Sequence, residues 1–167
     1  MSDAYHSAIK CASYHMDMNA VTKPDTTKKS KEDVYDNISY NKVVCIKNPM
    51  RGYKITKMPV SNTLIFTTLL LEPGTRVVCS RLYDLVLYRC ESAVVTDMRY
   101  INPDKTISKL VCHISQSCFH PYGAKPIFYV LDGVVSVDNF NSVQCCDNNP
   151  GIYFMRDKKR VLETYCH

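Results

Sequence analysis

From about residue 40 onward, apolar and polar positions alternate with the two-residue period of strands more often than with the period of helices. Asn41–Lys47, NKVVCIK, predicts a first strand, ended by Asn48-Pro49. In Arg51–Lys57, RGYKITK, Tyr53 and Ile55 alternate with Lys54 and Thr56, as in a half-buried strand. Leu64–Leu71, LIFTTLLL, predicts a more fully buried strand. Glu72-Pro73-Gly74-Thr75 predicts a turn in which Pro sets φ and Gly takes a positive φ. Val77–Cys79 fits a short return strand. Leu85–Met98 is too rich in β-branched residues for a helix and reads as two strand segments meeting at a bulge or bend near Glu91-Ser92. Asn102–Lys105 is a turn and Thr106–His113 the next strand, followed by an irregular loop over Gln116–Pro126. Ile127–Leu131 and Val134–Val137 flank Asp132-Gly133, a dipeptide typical of hairpin turns. A polar loop, Asp138–Pro150, leads to a short strand, Gly151–Met155. Asp157 is placed to cap a last helix with Val161, Leu162 and Tyr165 on one face, and Ile152 and Phe154 are expected to pack under that face.

The N-terminal residues read differently. Tyr5, Ile9, Ala12 and Met16 make a thin helical stripe that fits a docking helix or a frayed tail. Thr22–Asp33 has no large apolar residue with which to offset its ordering entropy. The expectation is a flexible arm over residues 1–39, with or without a short helix, and a single β-rich domain over 40–167. That domain is mainly β (α+β), a compact antiparallel β barrel or roll with a C-terminal helix.

Composition agrees with one soluble domain: 167 residues, 46% apolar and 22% charged. No apolar run approaches membrane-span length, and the first residues lack a secretory pattern. Ser2 stands where myristoylation needs Gly. The expected location is therefore intracellular, with no membrane partner. Nine cysteines in such a setting read as reduced thiols, and Cys45, Cys79, Cys90 and Cys112 fall inside strand-like runs as small hydrophobes. The net charge of +5 permits an anionic partner without requiring one.

Candidate chemistry is sparse. Cys112, His113, Cys118 and His120 fall within nine residues, but Cys112 and His113 are adjacent in a strand and should face opposite ways. Cys118 and His120 are the remaining weak metal candidates, and no metal site is expected. Nor do they match the local motifs of thiol enzymes. No GxGxxG or Walker loop occurs, and no cofactor is expected. Twelve tyrosines could stack on bases, yet Tyr83, Tyr88 and Tyr129 sit in strand patterns.

The C-terminal residues carry a resemblance. Val137, Asp138, Phe140, Cys146, Pro150, Gly151, Ile152, Phe154 and Tyr165 are similar to the closing motif "VxVDxFdxdxxxxCspGIhFFxxxxxAxxY" of an uncharacterised domain family of large DNA viruses and phages, often found beside pentapeptide repeats. Upstream, Tyr53-Lys54, Leu64–Leu71 with Pro73, and Tyr88–Val95 resemble that family's "GyK", "aklxIP" and "kCRaskAvV". Tyr153 and Val161 depart from it, standing where the family has His and Ala. The resemblance implies a viral origin and a compact β-rich domain, and implies no activity. Read physically, Pro150 and Gly151 set the entry to a strand, and Asp138 and Asn139 suit an Asx-type turn.

Gly151-Ile152-Tyr153-Phe154 with Tyr165 also resembles the "GIYFAxxxxxSxxY" segment of poly-ADP-ribose polymerases and related transferases. That likeness implies that Tyr153 and Tyr165 would wall a nicotinamide site. The "HG" and "YRG" motifs of those enzymes are absent, and Arg51-Gly52-Tyr53 is a faint echo. The reading that follows is a non-enzymatic viral accessory or interaction protein in host-cell cytoplasm or virion. It would bind a host or viral protein, or a small ligand through Tyr153, Tyr165, Asp138 and Asn139. An NAD-binding ADP-ribosyltransferase-like protein and a nucleic-acid-binding or virion structural protein are the alternatives.

Overall fold

The computed structural model describes residues 42–82, 85–118, 125–140 and 150–165, without the side chains of 80–82, 85 and 165. The expected arm over residues 1–39 lies outside the described residues. The strands are β1 (Val43–Cys45), β2 (Met50–Lys57), β3 (Leu64–Leu71), β4 (Arg76–Leu82), β5 (Leu85–Cys90), β6 (Ser92–Ile101), β7 (Ile107–Val111), β8 (Ile114–Ser117), β9 (Phe128–Val130), β10 (Val134–Ser136) and β11 (Ile152–Phe154). One helix, α1 (Lys158–Tyr165), follows them. A four-stranded sheet runs β1-β4-β5-β11, and a seven-stranded sheet runs β10-β6-β3-β2-β8-β9 with β7 on β6. All pairings are antiparallel. The fold is mainly β with a C-terminal helix, and neither sheet closes into a barrel.

The core lies between the sheets. Val77, Cys79, Tyr88, Cys90, Ile152 and Phe154 of the smaller sheet meet Met50, Ile65, Leu69, Leu71, Val95, Met98 and Val135 of the larger. Gly52 lets the two backbones approach: a Cβ there would stand 2.3 Å from Cδ2 of Phe154. Glu91 separates β5 from β6, so the bend expected near Glu91-Ser92 is where the chain changes sheets. The turn Glu72–Thr75 forms as expected, with Thr75 N–H donating to Glu72 O at 3.1 Å and Gly74 at φ 93°.

Several expectations are corrected. β2 is covered on both faces, because the smaller sheet lies over Met50 and Gly52 while Ile55 joins a second cluster with Phe66, Met155 and Val161. α1 therefore packs through Val161 on that second cluster, not on Ile152 and Phe154, which face the inter-sheet core. The return strand expected at Val77–Cys79 extends over Arg76–Leu82. The strand expected over Thr106–His113 ends at Val111, and β8 occupies the start of the expected loop. The turn at Asp132-Gly133 closes, with Gly133 N–H donating to Val130 O at 3.0 Å, but β9 and β10 do not form a hairpin ladder. Their backbones pair with β8 and β6 instead, because Gly133 O accepts Val95 N–H and Leu131 N–H reaches His113 O. Cys79, Cys90 and Cys112 are buried as expected, whereas Cys45 is exposed because β1 is an edge strand.

Candidate functional site

Three of the motif residues, Phe140, Pro150 and Gly151, meet at the outer face of the smaller sheet. Strand alternation puts Arg89 on that face, opposite Val78 on β4 and Tyr153 on β11. Arg89 is only 3% exposed. Its Nη1 donates to Pro150 O at 2.7 Å, and its Cζ stands 5.2 Å from the centroid of the buried Phe140 ring. Arg76 reaches the same ring, with Cζ at 5.4 Å from its centroid. Gly151 is required by this arrangement: a Cβ there would lie 2.2 Å from Arg89 Cγ. Phe140, Pro150 and Gly151 thus meet around one buried guanidinium, although they lie on either side of a long loop in sequence.

Glu91 neutralises Arg76. Its Oε2 accepts from Arg76 Nε at 2.7 Å, and its Oε1 accepts from the Arg76 backbone N–H at 2.9 Å. The Glu91 backbone continues the pattern, donating to Arg76 O and accepting from Val137 N–H. These bonds tie the sheet-changing bend to both β4 and the strand leading to Asp138. The hydrogen bond from Arg76 holds the Glu91 carboxyl below its ordinary range. Arg76, Arg89 and Glu91 together clamp Phe140 to Pro150 and Gly151, and nothing in the cluster resembles an activated nucleophile or a general base.

Asp138 and Asn139 are exposed in the turn before Phe140. Tyr153 is half-buried on β11, and Tyr165 ends α1 with its side chain outside the described residues. The pair is therefore not brought into one described site. Cys118 is half-buried against the second cluster, and burial pushes its thiol up while Lys54 and Lys57 pull the other way. His120 lies outside the described residues. Cys112 is buried and His113 exposed, but both lie between β7 and β8 rather than in the strand expected over Thr106–His113. Among the described residues, no group of three or more His, Cys, Asp or Glu side chains could hold a metal ion.

Sequence reasoning missed Arg76 and Glu91 as partners, and missed the burial of Arg89. A charged residue between the apolar Tyr88 and Cys90 was the available signal. It also missed an apolar surface. Ile114 and Val130 are cross-strand neighbours, 44% and 52% exposed. Phe128 is 51% and Val134 74% exposed, while the alternating Ser115, Tyr129 and Val135 are buried. Ile114 of β8, Phe128 and Val130 of β9 and Val134 of β10 thus expose apolar side chains outward, with Gln116 and Ser136 at the other outward positions of β8 and β10. Among the described residues no helix is long and apolar enough to cross a membrane. Comparison with protein-family models, curated proteins and solved structures finds no match.

Proposed function

We propose that this chain is a non-enzymatic accessory protein of a large DNA virus or phage, and that it binds a host or viral protein. The observation that carries the reading is the exposed face formed by Ile114, Phe128, Val130 and Val134. Exposed apolar residues are ordinary singly, but Ile114, Phe128 and Val130 on the paired strands β8 and β9, with Val134 just beyond the Asp132-Gly133 turn, make the kind of surface that protein partners cover. The viral assignment rests on the resemblance of the Val137–Tyr165 motif. The Arg76–Phe140–Arg89 clamp accounts for several motif residues as architecture, which supports a binding role over catalysis. A protein partner is favoured over nucleic acid because none of the four exposed residues carries the positive charge that phosphate contacts require. Host-cell cytoplasm or virion is the corresponding location.

Affinity capture from cells making the protein tests this, comparing wild type with Phe128→Ser/Val134→Ser. The expected result is a discrete protein partner retained by wild type and lost by the variant at an unchanged melting temperature. Identical captures would overturn the docking face. Titration with NAD supplies the contrast: saturable binding abolished by Tyr153→Ala would replace this reading with the transferase-like one.

A further inference from the structure

The inner face of the larger sheet contains a polar seam unlike the apolar core beside it. Lys54 lies on the inward parity of β2, between Gly52 and Thr56, and is half-buried. Thr67 is its cross-strand partner on β3 and is fully buried. Thr56 Oγ1 and Thr67 Oγ1 are 2.7 Å apart, and Thr56 also donates to Ile65 O. Beyond Thr56, Ser117 is buried on β8 and accepts from Ile127 N–H. Tyr129 on β9 is fully buried, and its Oη accepts from Lys54 Nζ at 2.6 Å. Ser115 pairs with Tyr129 in the β8–β9 ladder, so their side chains are neighbours on the inner face. The Ser115 hydroxyl is buried and has no hydrogen-bond partner.

The donor count is unbalanced. An ammonium has three N–H donors, and Lys54 engages one. Tyr129 uses its oxygen as an acceptor there, which leaves its own O–H to give. Ser115 adds another uncommitted buried hydroxyl. No carboxylate pairs with Lys54 among the described residues. Across the sandwich stands Cys90, whose thiol burial pushes up to about 12 against the pull of Lys54, so it supplies no thiolate to balance the charge. Lys54 Nζ also lies 4.5 Å from the centroid of the Tyr129 ring, so a half-buried cation with spare donors and no carboxylate partner among the described residues stands beside a buried hydroxyl that is unsatisfied, where buried polar groups ordinarily are satisfied. A ligand that supplies acceptors and negative charge together resolves both deficits.

We propose that this seam binds a small oxyanion, a carboxylate or a phosphate group, through Lys54 Nζ and the hydroxyls of Tyr129 and Ser115. The site lies between the sheets and does not depend on the outer apolar face. It extends the chain's binding repertoire to a small ligand held by residues that none of the motif resemblances single out as ligand contacts.

Thermal unfolding of the full chain in increasing sodium phosphate or sodium acetate, at constant ionic strength, tests the proposal. Above the dissociation constant the wild-type melting temperature should rise with the logarithm of anion concentration, reaching about 5–10 °C at a hundredfold excess. Lys54→Met should abolish the rise. Tyr129→Phe keeps the ring and should need about tenfold more anion for the same rise, the effect of one lost hydrogen bond. A rise with phosphate alone identifies a phosphoryl group as the ligand, and a rise with acetate identifies a carboxylate. A flat wild-type response to both anions overturns the proposal, as does an equal rise in Lys54→Met. If Lys54→Met fails to fold, Tyr129→Phe decides, and an unchanged anion dependence in that variant overturns it.

Discussion

Gly52 and Phe154 lie so close that neither position tolerates a larger group. Phe154 is 2% exposed and stacks on Tyr88 with ring centroids 5.5 Å apart. Phe154→Ala should destabilise the domain by about 3–5 kcal/mol, through lost transfer energy and the cavity left behind. Gly52→Ala should cost about 1–3 kcal/mol, because the added methyl meets the Phe154 ring. In the Phe154→Ala background the same methyl has room, and the penalty should vanish or reverse. Denaturant midpoints for the four-protein cycle check this, and additive effects would show that the contact does not limit position 52.

At the scale of elements, α1 depends on a cap that the sequence announces. Asp157 Oδ1 accepts from the N–H groups of Lys159 and Arg160 at 2.8 and 3.1 Å, satisfying two donors that a helix leaves unpaired. Asp157→Ala should lower stability by about 1 kcal/mol, and Asp157→Asn by less, in the same midpoint measurement. Equal midpoints for wild type and Asp157→Ala would mean that the packing of Val161 holds the helix without its cap. β9 and β10 illustrate the opposite situation. Their connecting turn is local and legible, with Asp132 at φ 61°, but β9 pairs with the preceding β8 and β10 with the distant β6.

The whole molecule carries an acid-sensitive joint where the chain passes between sheets. The Glu91 carboxyl is lowered in the folded state, first by its hydrogen bond with Arg76. The unfolded chain then binds more protons in acid, so this contribution is present above the unfolded range near about 4.3. It is lost as pH falls through the lower folded value. Glu91→Gln should therefore lower stability at neutral pH and flatten the decline in acid, read as urea midpoint against pH. Asp104, also held low by its hydrogen bond from Thr106, contributes with the same sign and remains in the variant. Parallel profiles for the two proteins would place the acid sensitivity elsewhere. Arg76 is half exposed, so solvent screening keeps the effect modest.

What the sequence determined by itself is local. Strand alternation placed Ile152 and Phe154 on one inward face, and the β-branched run Leu85–Met98 marked two strands meeting near Glu91-Ser92. Pro73-Gly74 specified a turn and Asp157 a cap, because each acts on backbone within a few residues. The identity of a strand's partner is not local, since the same alternating pattern pairs equally well with several neighbours. Only the tertiary structure therefore decided that β9 and β10 part, that α1 covers Met155 and Ile55 rather than Phe154, and that β2 is covered on both faces. The same holds for the candidate sites. Phe140, Pro150 and Gly151 were legible as a motif, but Arg89 and Arg76 reach Phe140 through the pairing of β4 with β5. Lys54 and Tyr129 looked like ordinary strand residues and Ser115 fell between an expected strand and an expected loop, and their unbalanced donors arise only when three strands set them on one buried face.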